Sequence, residues 1–400
     1  MKDLNIWFIC IGEPLPQNNN FENLHRCGTL AYNFSKKGHN VKWISSNFNH
    51  FTKSAIDIDD NYKISNKFEI ILLKTMPYKK NISLERFISH YLISKEFVNK
   101  IGDFKNIPDI IYVSFPTIEL SYQAVKFANK NNIPIIVDIR DLWPDIFLSA
   151  IPSFLHPIAK TFLYPWYYQK KYTFKNASSI IAISNYFLNF GTKYLSTNNN
   201  LNKVFLKSFK SNTIYKKTKN NNKIKVIYLG AISKNKLNFD IVIDAFNKIG
   251  DNFELIVCGD GDDLSFYKNK SAKNISYKGF VNKKAFANYV AEADIGIVPL
   301  NNRFDFTTQL VNKSIEYLSY GIPILNSLEG ELKDFVFKNK IGFNYSSSEE
   351  LIKCLNHIYD DKEILDIFSE NAKRVFDKEF NFDSNFKKFE NHFFDVVKNN

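Results

Sequence analysis

Residues 305–331 read DFTTQLVNKSIEYLSYGIPILNSLEGE. Thr307 and Thr308 suit an N-cap, because a hydroxyl there accepts from the first free amides of a helix. The run from Gln309 to Tyr320 has helical character, and Gly321 followed by Pro323 stops it. Val311, Ile315 and Leu318 fall at i, i+4 and i+7, an apolar stripe for a core. Gln309, Asn312, Lys313, Glu316 and Tyr320 share another face. The IPIL that follows reads as a short buried strand. A helix therefore feeds a strand, and near its start stand an Asn, a Lys and, one turn on, a carboxylate.

A helix N-terminus presents free N–H groups and partial positive charge, which favours a pyrophosphate. Lys313 would neutralise charge on such a group, and Glu316 would accept from ribose hydroxyls. The plainer reading is a surface helix whose Lys and Glu are only solvated. The rest of the chain bears on the choice, because it supplies strands that end in polar or glycine-bearing turns.

The chain opens on LNIWFIC (4–10), a strand, then the loop GEPLPQNNN, an amphipathic helix over 21–38 and the strand VKWISS (41–46). This is the start of a parallel, doubly wound α/β sheet, which binds ligands at the carboxyl ends of its strands. Gly12 and Glu13 stand at such an end, and so do His50 and Lys53 in the loop 45–54. Neither loop is G-x-G-x-x-G, which disfavours a nicotinamide dehydrogenase. Strands follow at 68–75 and 109–114, with a helix at 84–101. IPIIVDIRDLWPD (133–145) is a strand that delivers Asp138, Arg140 and Asp141 into a polar turn. A buried Arg–Asp pair that holds the loop is the alternative use of these charges. Residues 154–176 are dense in aromatics and Lys, which suits either a membrane interface or a packed helix broken at Pro165. SSIIAIS (178–184) is a strand.

The Asn- and Lys-rich stretch 197–225 reads as an inter-domain connection. A second βα cycle then runs through KVIYLG (225–230), a helix at 237–249, FELIVCGDGDD (253–263), YKGFV (277–281) and ADIGIVPL (293–300). Glycines stand where the backbone would approach phosphate or sugar closely. These turns put Gly230, Cys258, Gly259, Asp260, Gly261, Gly279, Phe280 and Val281 at strand ends. A helical run over 348–378 and an aromatic segment to 398 close the chain.

The 400 residues suit about two domains. The formal net charge of +12 points to an anionic partner, and the absence of a dense Arg patch argues against nucleic acid. Cys10, Cys27, Cys258 and Cys354 are scattered, with no C-x-x-C pair and no His cluster, which indicates a reducing compartment and no structural zinc. No apolar run approaches the roughly 18 residues that span a bilayer.

NKSIEYLSYGIPI resembles the donor-binding segment of family 4 glycosyltransferases, P-x-K-x-x-E-Y-x-x-x-G-x-P, at Lys313, Glu316, Tyr317, Gly321 and Pro323. VDIRDLWP, GEPLP with F-x-H-x-x-K, and ASSIIAIS resemble segments of a branch that builds bacterial surface polysaccharide, O-antigen or capsule. Three positions depart from the family pattern. Thr308 stands where many members have a second Glu, Ala231 where they have Arg, and Arg140 where many have His.

The resemblance implies a GT-B fold: two Rossmann-like doubly wound domains facing across a cleft, with a C-terminal helix crossing back to the first. It implies an acceptor domain over 1–205, a nucleotide-sugar domain over 206–380 and the crossing helix over 381–400. It implies retaining transfer of a UDP-hexose or UDP-N-acetylhexosamine type of sugar to a lipid-linked glycan, with no metal or other cofactor. Arg140, Asp141, Lys313 and Glu316 would be catalytic. Gly12, Glu13, Gly230, Lys234 or Lys236, Cys258, Gly259, Asp260, Gly261, Gly279, Phe280, Val281, Thr308, Asn312 and Tyr317 would bind the donor. His50 and Lys53 would meet the acceptor. The enzyme would be cytoplasmic, on the inner face of an anionic membrane. A sugar-nucleotide 2-epimerase of the same fold and a non-catalytic partner subunit are the alternative readings.

Overall fold

The computed structural model describes residues 3–16, 21, 24–56, 61–80, 83–102, 107–195, 200–208 and 223–400. Most of the connection expected over 197–225 lies outside the described residues. The chain divides into two compact units, Met1–Leu206 with Phe386–Asn400, and Lys207–Asn385.

Unit 1 runs β1 (Asn5–Ile9), α1 (Arg26–Lys36), β2 (Asn40–Ser46), β3 (Phe48–Asn49), β4 (Ser54–Ala55), β5 (Asn61–Ser65), β6 (Phe68–Leu73), α2 (Leu84–Ile101), β7 (Ile110–Phe115), α3 (Ile118–Lys130), β8 (Ile135–Ile139), α4 (His156–Phe162), α5 (Tyr164–Lys175), β9 (Ser179–Ala182), α6 (Asn185–Thr192) and β10 (Lys203–Val204). Its sheet has the order β10-β9-β8-β7-β1-β2-β6-β5. All neighbours are parallel except β5, which pairs antiparallel to β6. The central strands β7 and β8 are buried throughout, as a sheet covered by helices on both faces requires. The order reverses at β1, with β2 on one side and β7 on the other. That reversal opens a crevice at the carboxyl ends of β1 and β7.

Asp138 does not enter the turn as expected. It is fully buried, accepts from Arg26 (2.8 Å) and is bonded by the Tyr112 hydroxyl. Alternation along β8 puts its side chain on the core side. The break in 154–176 falls at Leu163, and Pro165 sits in the first turn of α5, where a missing N–H costs nothing.

Unit 2 runs β11 (Ile224–Leu229), α7 (Phe239–Lys248), β12 (Phe253–Cys258), α8 (Leu264–Lys270), β13 (Ile275–Gly279), α9 (Lys283–Glu292), β14 (Ile295–Val298), α10 (Phe304–Thr307), α11 (Asn312–Ser319), β15 (Ile324–Asn326), α12 (Glu331–Asn339), β16 (Gly342–Asn344), α13 (Ser348–Asp360) and α14 (Glu363–Val375). The sheet is parallel, in the order β13-β12-β11-β14-β15-β16, and reverses between β11 and β14. The expected single run over 348–378 is two helices joined at Asp361–Lys362, with a π-helical turn over Phe376–Phe380. The two helices pack on different elements, α13 on α7 and α14 on α11, so the chain must turn between them.

The helix expected over 309–320 starts three residues later, at Asn312. The hydroxyls of Thr307 and Thr308 donate back to the Phe304 carbonyl at 3.4 and 2.8 Å and close the short α10. Val311 holds the N-cap position of α11.

The last helix, α15 (Phe382–Lys398), begins in unit 2 and belongs to unit 1 from Phe386. Its aromatic stripe explains the docking. Phe393 packs on Phe8, Phe34 and Tyr112, and Phe389 stacks on Phe205 with ring centres 4.0 Å apart. Among the described residues no helix is long and apolar enough to cross a membrane.

Candidate functional site

In unit 2 the site grows from the reversal between β11 and β14. These strands pair only at Val226–Ile295 and Ile227–Gly296, then splay. Tyr317 of α11 fills the gap. Its ring lies against Gly296, where an added Cβ would meet it at 2.5 Å. Its hydroxyl accepts from Leu229 N at 2.9 Å and donates to Ile227 O at 3.2 Å. Tyr317 is wholly buried, so it positions α11 and does not touch a donor as expected. Tyr317→Phe leaves the Leu229 amide unpaired and is expected to cost about 1–3 kcal/mol in denaturant unfolding. An unchanged midpoint would show that this bridge is not needed.

α11 carries Lys313 in its first turn, and Val311 has no side-chain oxygen to cap that turn. The Lys313 ammonium lies over the Tyr228 ring, 4.3 Å from its centre, and donates to the Tyr228 hydroxyl at 3.1 Å. Gly230 has φ +139°, and an added Cβ would stand 2.8 Å from the Lys313 Nζ. Glycine is therefore required there to leave the ammonium in place. Burial lowers the Lys313 pKa to about 7; Glu316, three residues on, works against that shift, and Lys236 adds to it. Lys236 is thus the second lysine that feels this site. Lys234 instead sits on the Phe266 ring, 3.0 Å from its centre, while its amide bonds Asp263. Asn312 is exposed at the start of the helix.

The neighbouring turn is built differently from expectation. Gly259 and Gly261 lie against the backbone of 230–232, where an added Cβ would come within 1.9 Å of Gly230 O and 2.2 Å of Ile232 O. The two loops are zipped by Gly230 N to Cys258 O and Ile232 N to Asp260 O, both 3.0 Å. Close approach of another loop accounts for these glycines. The Cys258 side chain is buried in the core, which pushes its thiol up to about 11, so it does not line a donor. Asp260 is exposed and accepts from Gly261 N. Gly279 turns the chain at φ +66°, and Val281 follows the exposed Phe280, 83% accessible at the end of β13. Thr308 follows α10 directly and donates to Phe304 O, outside α11.

In unit 1 the crevice at β1 and β7 holds a pocket of about 130 Å³. Gly12, Ser46, His50, Tyr78, Arg86, His90 and Thr117 are among its walls. His50 Nδ1 lies 2.6 Å from the Tyr78 hydroxyl and 3.4 Å from Lys53 Nζ. Burial, then Lys53 and Arg86, lower its pKa to about 4, so its imidazole is neutral at physiological pH. Arg86 lies over Trp143, 4.8 Å from the ring centre, and Lys53 over Tyr78. Arg86, Tyr78 and Thr117 went unnoticed in the sequence, since no motif marks residues that meet only through the sheet. Asp141 acts on Arg86 and accepts from Leu142 N.

The buried Glu13 carboxylate pairs with Arg140, whose side chain is 27% accessible. Glu13 also accepts from Cys27 N and Gly28 N, at 3.2 and 3.0 Å, in the first turn of α1. Burial would raise its pKa, but Arg140 and these two amides outweigh burial and hold it below the usual carboxylate range. Its carboxylate is therefore engaged with the protein, contrary to a sugar-facing role. Cys10, Glu13 and Cys27 bring possible metal ligands within 4.8 Å of one another. Burial, then Cys10, push the Cys27 thiol well above its ordinary value.

Residues 223–361 match the model of the family Glycosyl transferases group 1. Alpha-monoglucosyldiacylglycerol synthase of Acholeplasma laidlawii is 30% identical over 160 residues, 38% of this chain and 39% of that protein. The chain thus matches well under half the length of that relative. Sucrose-phosphate synthase of Thermosynechococcus elongatus superposes with a TM-score of 0.72 over 99% of this chain and 100% of its own, at 13% identity. HepE of Anabaena, solved with UDP, superposes with a TM-score of 0.65 over 97% and 98%, at 15% identity. The chain has the GT-B fold of two Rossmann-like domains, and its residues 223–361 match the group 1 glycosyl transferases.

Proposed function

We propose that the chain is a retaining glycosyltransferase that moves a hexose or N-acetylhexosamine from UDP to a lipid-linked glycan on the inner face of an anionic membrane. The observation that carries this is the half-buried Lys313 ammonium in the uncapped first turn of α11, beside the Gly230 turn. Burial weakens the solvation of this cation, and a diphosphate restores what burial removes. Lys313, the first-turn amides and Lys236 stabilise the departing diphosphate, with no metal needed. Glu316 accepts from the ribose, and the exposed Phe280 offers a ring for the base.

The acceptor hydroxyl gives its proton to an oxygen of the departing diphosphate as the bond from the anomeric carbon to that diphosphate breaks and the acceptor oxygen bonds the same carbon from the same face. The unit 1 pocket supports an acceptor role through the neutral His50, Tyr78, Thr117 and the cations Arg86 and Lys53. Solved HepE holds UDP and UDP-glucose, which favours UDP as the nucleotide to test first.

Thermal-shift screening against UDP-, GDP- and dTDP-sugars tests the donor site. A UDP-sugar at about 100 times its Kd is expected to add about 2.7 kcal/mol of stability. Glu316→Ala should lose most of that shift. Equal stabilisation of wild type and variant, or none in either, would remove the assignment. Conversion of the nucleotide sugar to an epimer without acceptor would replace it by the epimerase reading.

A further inference from the structure

We infer that the segment from Phe154 to Tyr168 is a membrane-docking face that lies in the headgroup region of an anionic bilayer. An ordinary surface helix turns its apolar stripe inward. Here α4 buries none of its residues. Phe154, Ile158 and Phe162, spaced four apart, are 77%, 58% and 82% accessible, and Tyr164 and Tyr168 continue the exposed surface on α5. Phe87 of α2 packs on Phe147 and Trp166 at the edge of this segment, and the same helix exposes Leu84 and Ile88.

The face is held in place. Trp166 Nε1 donates to Glu119 at 2.6 Å, and the buried Lys170 pairs with Asp145 at 2.5 Å. These anchors use the inner side of α5 and leave the outer side to solvent. A contiguous apolar surface of this kind marks an interaction site.

Charge selects the occupant. From Ile146 to Phe239 the chain contains no Asp or Glu, and Lys160, Lys171 and Lys175 are exposed beside the apolar residues. The segment's own aromatic rings and lysines, with Glu119 and Asp145 taken up by Trp166 and Lys170 and Glu85 the exposed acid on the neighbouring α2, match the interface of an anionic bilayer, where rings sit at headgroup depth and each lysine gains from surface charge. At seven residues α4 is far too short to span, so it lies on the surface. The inference extends the membrane-side acceptor reading and names the surface that would bring the acceptor within reach.

Flotation with vesicles of phosphatidylcholine alone, or mixed with phosphatidylglycerol, tests it on the full chain. Wild type is expected to float with the mixed vesicles and to release in high salt. Phe154→Ser/Ile158→Ser/Phe162→Ser should lower the bound fraction by more than about tenfold. All three side chains are exposed, so the variant should keep the wild-type melting temperature and UDP-sugar shift. Wild type that stays unbound, or a variant that floats equally, overturns the face and leaves the transferase reading intact. A wild-type dimer that the variant converts to monomer would make the face a contact between copies and likewise overturn it. Flotation without any nucleotide-sugar shift would sink the transferase reading and keep the face.

Discussion

Lys313→Met is expected to lower turnover by about 10²-fold, the usual loss when one preorganised donor to a developing anion is removed. Methionine keeps the stem over Tyr228 and removes the ammonium with its bond to the Tyr228 hydroxyl, which still donates to Ala231 O, so the fold should survive. The wild-type lysine also carries a pH signature. Burial lowers its pKa to about 7 in the free protein. Below that value the ammonium is already protonated, and a nucleotide sugar binds without taking up a proton. Above it the amine is neutral when free and charged when bound, because the diphosphate raises its pKa. Binding then takes up a proton, and affinity falls by up to about tenfold per pH unit. Titration calorimetry in two buffers of different ionisation enthalpy reads this directly. Uptake should approach one proton at about pH 8 and vanish at about pH 6. Lys313→Met should show none at either pH. Wild type without proton linkage, or a variant of normal turnover, would place the diphosphate elsewhere.

Arg140→Met is expected to destabilise unit 1 by about 3–5 kcal/mol, the cost of leaving the buried Glu13 carboxylate without its cation. For a unit of this size that is a fall of about 6–20 °C in melting temperature. The pH dependence has a definite sign. In the wild type, Glu13 is held below the usual carboxylate range, so its contribution is fully present above that range and is lost as pH falls through the folded pKa. Without Arg140, only the Gly28 and Cys27 amides oppose burial, and the Glu13 pKa rises. The carboxyl then destabilises at neutral pH and recovers on protonation, so wild type and variant should converge in acid. Glu13→Gln added to Arg140→Met should restore most of the loss. A variant that melts normally but turns over poorly would return Arg140 to the sugar.

Much of the fold was legible because its signals are local. Apolar runs ending in Gly or polar turns gave the central strands of both sheets, while the short edge strands β5, β10 and β16 carry no such run. Lys313 and Glu316 were legible because helical spacing puts them together near one helix start. Thr308 misled because a threonine before an apolar run satisfies the N-cap pattern equally well when its hydroxyl closes the preceding turn. Tyr317 and Cys258 misled because a motif does not reveal which side of a strand or helix faces the core.

The amino-acid sequence by itself determined two successive parallel βα cycles, a basic chain, and a helix that carries Lys313 and Glu316 one turn apart. Periodicity and turn chemistry are properties of neighbouring residues, and they survive without knowledge of the rest. Tertiary structure decided what each side chain does with its charge. It buried Lys313 against Tyr228, which lowers its pKa, and engaged Glu13 with Arg140 and two amides. It also turned Phe154, Ile158 and Phe162 outward where packing would have hidden them. Burial and long-range pairing set solvation, and solvation sets whether a charged or apolar group is free to meet a partner.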